Sequence, residues 1–370
     1  MASINGQQIN MKHTNNISKE SNMINTFIIR YKNRRNLQQL QQCYKKKYAF
    51  VGIGNHSLNN LFPVLDYLHI PLKYICCQSA KKLPFIERKW KGVCATTSLQ
   101  DILSDKEIEG IFVSAAPSAH FAIAQQVLAS GKSLWIEKPP CQSAEELQQL
   151  IEQEKTSISS VVMVGMQKRY APATTILQHQ LKKDTPYTYY IKYQTGTYPE
   201  GDALSDLFIH PLDYVCHLFG KAILKGCECI SNNGGISVLL MLKHPSITGI
   251  AELSTAHSWT NAQEALTIHT KGGTYELTQM EELKFMPHSG HLFGIPLDKI
   301  FHHNPVTISL FSRNNFVPTF ANHQTYTQGY FNELKAFADA VEKSATSPFP
   351  CGFQCMQNTY TLLKAISDSQ

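Results

Sequence analysis

The chain has 370 residues, more than one average domain needs, so two domains are the starting expectation. Apolar residues make up 43% and charged residues 17%, a globular balance that excludes a disordered chain, and no apolar run reaches the length of a membrane span. The net charge of +6 is concentrated at one end: residues 1–47 hold nine Lys and Arg against the acid Glu20, the rest is near neutral, and a basic body gripping nucleic acid is excluded.

Residues 1–47 read as a polar basic leader, partly disordered. Within it, 1–24 are rich in Asn, Gln, Ser and Lys, with Met23 an alternative start. Residues 26–29 read as a short β-like run, and 34–47 as a helix or linker. The leader has no apolar core of a signal peptide. The ten cysteines lack C-x-x-C pairing, which suits reduced thiols in a cytoplasm.

From Tyr48 the pattern changes. Strands are predicted at 48–53, 73–77, 110–116, 133–136 and 160–165. Helices are predicted at 58–68, 99–103, 120–130 and 143–154. Strands alternating with helices mean a parallel sheet covered on both faces, so 48–168 reads as a doubly wound α/β domain. Beyond it the rhythm turns antiparallel. Strands are predicted at 187–193, 237–242, 249–254, 265–270 and 274–278, and helices at 174–183, 204–219, 330–342 and 359–366. Residues 169–370 therefore read as an α+β domain on an open, largely antiparallel sheet, whose C-terminal helices have the option of packing back on the first domain.

Gly52-Ile-Gly54-Asn55-His56-Ser57 falls where the first strand turns into the first helix. In a dinucleotide-binding turn the first glycine makes the bend and the second admits the pyrophosphate. Ser57 stands where the third Gly or Ala belongs, and an ordinary glycine turn gives the same pattern. The second strand runs out into Gln78, Ser79, Lys81 and Lys82, with no acid for a ribose 2′-hydroxyl. A hydroxyl and two lysines suit the 2′-phosphate of NADP, although a plain surface loop also carries lysines.

Glu137-Lys138-Pro139 ends the fifth strand, and Pro117-Ser118-Ala119-His120 follows the fourth. Gly201 leads a helix with Asp206 and His210 four apart. With the glycine turn, these resemble the glucose–fructose oxidoreductase / myo-inositol dehydrogenase family from about Tyr48 onward. The resemblance implies a Rossmann domain, a sheet-and-helix domain, and a nicotinamide in the cleft between them. It implies Lys138 beside the reacting hydroxyl, His210 as general acid/base and Asp206 as its neighbouring carboxylate. Gly52, Gly54, Asn55, His56, Ser57, Gln78, Ser79, Lys81, Pro117, Ser118, His120, Glu137 and Lys138 fall to the cofactor. Arg169, in the crossover after the sixth strand, falls to the substrate with Asp206 and His210; Tyr198, by its aromatic side chain alone, reads as a stacking surface for a substrate ring or as a core or rim residue. The resemblance also implies a homo-oligomer, dimer or tetramer, paired through the open sheet face.

Hydride transfer from a carbinol needs a base for the departing proton, and histidine titrates where it can serve both directions. A lysine ammonium holds the developing alkoxide. The electrons travel on the cofactor, so no protein metal is required; the loosely spaced His288, His291, His302, His303 and His323 read as loop residues. Asp206 and His210 also fit a surface pair, and Pro211 predicts a kink or a helix restart. Trp259 reads as a stacking surface for a ring or as a rim residue. The expected protein is an oxidoreductase using NADP, or alternatively NAD, on a hydroxyl/ketone pair of a carbohydrate-like small molecule. The rivals are a catalytically silent sensor of the same fold and an NAD-dependent glycoside-cleaving enzyme.

Overall fold

The computed structural model describes residues 25–34, 44–157, 160–232, 234–301, 306–345 and 349–369. The chain divides into two units, residues 1–45 and 46–370. In the first, residues 25–34 form a helix, not the β-like run expected over 26–29. A lone four-residue strand leaves its backbone groups unpaired, whereas a helix satisfies its own. The expectations for 1–24 and for 35–43 lie outside the described residues.

The second unit opens with a parallel sheet. Its strands are β1 (Lys47–Val51), β2 (Leu72–Cys76), β3 (Cys94–Thr96), β4 (Ile108–Val113), β5 (Ser133–Glu137) and β6 (Val162–Gly165), in the order β3-β2-β1-β4-β5-β6. This is the doubly wound order, with its switch point between β1 and β4. The three-residue β3 and the helix Leu83–Lys89 before it carry too little pattern to be read from sequence. Helix starts are locally specified. Pro117 opens the helix Pro117–Ala129, and Ser143 accepts the N–H of Glu146 to cap Ala144–Thr156. Tyr48, Phe50, Phe112 and Trp135 are fully buried along the sheet, with Phe50 packed on Phe62 at 4.4 Å between ring centres. Each such ring contributes roughly 1.5–3 kcal/mol by leaving water.

The second sheet has eight strands: β7 (Pro186–Gln194), β8 (Ile223–Asn232), β9 (Gly235–Lys243), β10 (Thr248–Ser254), β11 (Gln263–Thr270), β12 (Gly273–Thr278), β13 (Glu282–Pro287) and, after a short ribbon of β14 (His291–Leu292) and β15 (Ile295–Pro296), β16 (Ile308–Ser312). The order is β16-β13-β12-β11-β7-β10-β9-β8; β7 and β10 run parallel and the other pairs antiparallel. Inward residues pack against helices, as Tyr189 does on Phe219 with ring centres 4.9 Å apart. The opposite face leaves Tyr190, Ile250 and Met241 exposed in one register across β7, β10 and β9.

The chain then returns to the first sheet. The helix Tyr330–Glu342 sets Phe337 edge-on to Phe112 at 5.1 Å, and the Tyr48 hydroxyl donates to the Ala338 carbonyl. Gly329, which precedes it, has φ +99°, and a Cβ there would lie 1.9 Å from the Gln167 carbonyl oxygen. Only glycine lets this helix start so close to the crossover turn Gln167–Tyr170.

That turn is held by a buried ion pair. The Arg169 Nε donates to Asp213 at 2.8 Å and its Nη2 to the second carboxylate oxygen, which also takes the Thr359 hydroxyl. Asp213 lies in the helix Ile209–Phe219. Removing one member of such a pair strands the other charge and costs about 3–5 kcal/mol. Arg169→Met should therefore lower the melting temperature steeply, and Arg169→Met with Asp213→Leu should recover most of the loss. Thermal unfolding of the three proteins checks this.

Candidate active site

The site forms where β1 and β4 end side by side. Gly52 has φ +104°, donates its N–H to Cys76 O, and faces the Ser114 carbonyl so closely that a Cβ would lie 2.1 Å from it. β1 can turn against β4 only as glycine. Gly54, by contrast, has open space where a side chain would project. Ser57 is buried, and its hydroxyl accepts the Gly54 N–H at 2.9 Å while donating to the Gly54 carbonyl at 3.0 Å. The third fingerprint position thus ties the loop to itself, and one N–H that a third glycine would leave for a phosphate is spent internally.

Gln78, Ser79, Lys81 and Lys82 are exposed just beyond β2. Lys82, rather than Lys81, reaches the glycine loop: its Nζ donates to the Ile53 carbonyl at 3.1 Å. A glycine turn at the switch point, free space over Gly54 and an ammonium beside the loop fit a dinucleotide. Asn55 and Ser118 are exposed nearby and line no cavity described here.

Below the loop lies a cavity of about 250 Å³ lined by residues from both sheets' elements. Pro117, His120, Glu137 and Lys138 come from the ends of β4 and β5, His56 from the glycine loop, and His210 and Tyr330 from the second half of the chain. Lys138 precedes Pro139 through a cis peptide. Its Nζ donates to the backbone carbonyl of Asp206 at 2.7 Å. Burial lowers the Lys138 pKa from its ordinary value, against the pull of Glu137 and Asp206. Burial also drives the His210 pKa well below the usual imidazole range, and the positive charges of Lys138 and Lys168 push the same way. The neutral imidazole of His210 is therefore the favoured form.

Glu137 is buried and accepts from His56 Nε2 at 2.9 Å and from the Lys138 N–H. Burial alone would raise its pKa; His56, with Lys138 and His120, outweighs burial and holds it below the usual carboxylate value. His120 is spent on backbone: its ring nitrogens lie 2.7 Å from Pro139 O and 3.1 Å from Ala115 O, so it staples the β4 and β5 loops together.

The expected Asp206–His210 couple is not formed. The two share no hydrogen bond among the described contacts; the Asp206 carboxylate instead meets the Tyr198 hydroxyl, and burial raises its pKa. The reason is helical phase. Leu204–Phe208 winds as a wider π-type turn and a regular helix restarts at Ile209, with Pro211 in its first turn. The wider turn removes the i, i+4 alignment that a plain helix would give. Arg169, expected at the substrate, is placed away from both cavities. Its guanidinium is committed to Asp213 and to Cys355 Sγ at 3.1 Å, and it lines neither cavity. Tyr198 lines neither as well.

A second cavity of about 260 Å³ adjoins the first and shares Gln167, His210 and Tyr330 with it. Lys168 and Glu264 meet there as a buried pair, with the Lys168 ammonium 5.0 Å from the centre of the Tyr193 ring. Trp259 and Gln194, Gln279 and Gln328 complete its walls. The sequence reading passed over Glu264 and Tyr330. Glu264 had a signal: it takes the inward phase of β11 with Leu266 and Ile268, where an acid requires a partner. Tyr330 had none, since Gly329 explains its place only once the crossover turn is seen.

A glycine turn at the switch point of a doubly wound parallel sheet, followed by a largely antiparallel sheet, defines a Rossmann-type fold with an appended sheet domain. Residues 46–166 match the model of the oxidoreductase family with an NAD-binding Rossmann fold, GFO_IDH_MocA. It is 26% identical to inositol 2-dehydrogenase of Acidothermus cellulolyticus over 129 residues, 33% of this chain and 38% of that protein. The chain thus matches well under half the length of that relative. It is 25% identical to the protein YceM of Salmonella typhimurium over 245 residues, 64% of this chain and 77% of the other. Levoglucosan dehydrogenase, solved with NADH and levoglucosan, aligns at a TM-score of 0.73 over 88% of this chain and 96% of its own at 16% identity, a likeness of fold. Among the described residues no helix is long and apolar enough to cross a membrane.

Proposed function

We propose that the chain is an NADP(H)-dependent dehydrogenase or reductase acting on a hydroxyl/ketone pair of a carbohydrate-like small molecule. The observation that carries this reading is the convergence of Lys138 and His210 on one cavity beside the glycine turn. The nicotinamide, when bound, accepts or supplies the hydride. Gly52, Gly54 and Lys82 would hold the dinucleotide, and Glu137 and Pro117 would border its reactive end. The family's inositol 2-dehydrogenases and the fold shared with levoglucosan dehydrogenase support a polyol substrate. A cytoplasmic location is proposed with it, because cysteines scattered along the chain without paired spacing suit a reducing compartment.

In this reading Lys138 orients the substrate hydroxyl and holds the growing negative charge on its oxygen. The carbonyl of Asp206 anchors the ammonium. His210, neutral through burial, takes the proton. Tyr330 and Gln167 close the wall between the two cavities, the Gln167 amide donating to the Tyr330 hydroxyl at 3.3 Å.

Lys138→Ala should cut turnover by roughly 10²–10³-fold, and His210→Ala by roughly 10²–10⁴-fold, with cofactor binding retained. Asp206→Asn should cost less than either, because the substitution keeps the backbone carbonyl that Lys138 uses. The sign of the pH dependence follows from the shifts. A lowered pKa keeps His210 in its base form to lower pH, so kcat/KM for oxidation should hold its plateau through pH 6.5 and fall only below it. The alkaline limb, where Lys138 loses its proton, should lie below 10.5. Wild-type turnover in either alanine variant, or an acid limb at or above pH 6.5, would remove the assignment.

Cofactor choice rests on the absent acid after β2 and on Lys82 beside the loop. NADP(H) should bind more tightly than NAD(H), and Lys82→Ala should narrow the gap by about tenfold, the worth of one charge-assisted bond. Titration of both cofactors by fluorescence measures it. Equal affinities in the wild type would favour NAD.

Assembly is proposed through the open sheet face. Tyr190, Ile250 and Met241 are 36%, 50% and 49% exposed in one row, an apolar strip of the sort that marks an interface. Light scattering should give a dimer or tetramer, and Met241→Glu should shift it toward monomer.

A further inference from the structure

Two thiols flank the crossover turn Gln167–Tyr170 and take no part in the hydride chemistry above. Cys351 is pinned to β6, the strand that runs into the turn. Its carbonyl accepts the Val164 N–H at 2.8 Å, and its thiol donates to the Val164 carbonyl at 3.4 Å. Cys355 meets the turn itself. The Arg169 Nη1 donates to its sulfur at 3.1 Å, and its thiol donates to the Gly352 carbonyl at 2.9 Å. The two thiols also interact with each other. The loop that carries them is held independently, since the Phe353 N–H donates to the buried Glu154 carboxylate at 3.0 Å.

The two are not equivalent. Cys351 is buried, and Cys355 is half-buried, within reach of a small solute. Cys355 lies in the turn Phe353–Met356 that leads into the helix Gln357–Ser367, where free N–H groups favour an anion. Cys351 and the Arg169 guanidinium hold the Cys355 thiol below its ordinary pKa, against the pull of burial. At Cys141 and Cys216 burial prevails and pushes each thiol up to about 12.

We propose that Cys355 and Cys351 form a hydroperoxide-responsive pair whose oxidation loosens the crossover turn. The Cys355 thiolate attacks one oxygen of hydrogen peroxide and the O–O bond breaks. A sulfenic acid forms, and the departing hydroxide takes up the proton that the thiol released. The Cys351 sulfur then displaces the sulfenic oxygen, which leaves as a second water with the Cys351 proton. The dithiol loses two electrons and two protons, and the peroxide becomes two waters. A disulfide carries no S–H. The Val164 and Gly352 carbonyls therefore lose their donors, and Arg169 loses a thiolate acceptor. These contacts bracket the turn that brings Gln167 and Lys168 to the second cavity.

The test treats the full, reduced chain with hydrogen peroxide, alkylates the remaining thiols at intervals and maps every cysteine by peptide mass spectrometry. Cys355 should be consumed at least about tenfold faster than Cys141 and Cys216, as its larger thiolate fraction requires. The product should be a Cys351–Cys355 crosslink that dithiothreitol reverses. Cys227 and Cys229, with sulfurs 3.8 Å apart on β8, are the internal comparison: burial and the contact with Cys229 push Cys227 up to about 11, so their crosslink should form more slowly. Cys351→Ser should leave Cys355 as a sulfenic acid that dimedone captures. Hydrogen exchange over residues 164–170 should rise in the crosslinked wild type, a measurement that decides the matter even where Cys351→Ser does not fold. Equal consumption of Cys355 and the buried thiols overturns the proposal. So does a crosslink at Cys227–Cys229 with Cys351 and Cys355 still reduced, or unchanged exchange in the crosslinked protein. None of these readouts uses a substrate, so their failure leaves the dehydrogenase reading standing.

Discussion

The buried pair between Arg169 and Asp213 is the contact on which the site's geometry hangs. Arg169 lies in the short turn that leaves the parallel sheet, and Asp213 lies one turn beyond His210. Fixing one to the other sets the position of His210 relative to β6. Lys168, the preceding residue, meets Glu264 on β11, and Gln167 meets Tyr330. Three successive residues of one turn thus tie down the helix that carries His210, the second sheet and the returning C-terminal helix. A buried charge pair is a costly means of doing so, since both ions must leave water. What it supplies is directional: the guanidinium fork accepts one carboxylate orientation, whereas an apolar contact tolerates sliding.

The electrostatics of the two cavities follow from the same arrangement. Lys138, Lys168, Glu137 and Glu264 bring two charges of each sign, and each cation lies close to an acid or a carbonyl. Among the described residues His210 has no carboxylate of its own; it is buried and beside two ammonium groups. Its neutral form is favoured by its surroundings, with no orienting acid of the kind found in hydrolytic triads. Glu137 has the opposite fate. It is as deeply buried, but the His56 ring from the glycine loop holds it ionised. The loop that turns the chain at the switch point therefore also conditions the C-terminal end of β5.

Much of this was legible in the linear sequence. Apolar runs separated by helical stretches gave the doubly wound half, since a strand buried on both faces must be apolar throughout. The bend at Gly52 and the ending Glu137-Lys138-Pro139 were visible because their chemistry is local. The helix Tyr330–Glu342 was legible to the residue from its amphipathic period. Misreadings arose where a residue's neighbours are distant in sequence. Arg169 was expected at the substrate from the resemblance of its crossover segment, and nothing local announced the partner that holds its guanidinium, 44 positions away. Asp206 and His210 looked like a couple because four residues make one helical turn, and nothing in the residue types announced a wider one.

The sequence by itself determined the class of fold, the place of the nucleotide turn and the residue types able to move a proton and hold an alkoxide. Those follow from periodicity, from the sterics of glycine and from side-chain chemistry, all of which act within a few residues. Only the tertiary structure decided which of these side chains remain free. Arg169 and His120 were consumed by Asp213 and by backbone carbonyls, while Lys168, Glu264 and Tyr330 came to the cavity from segments far apart in the chain. The physical reason is that hydrogen bonds and ion pairs are exhausted by whichever partner packing brings nearest, and packing is a property of the whole chain.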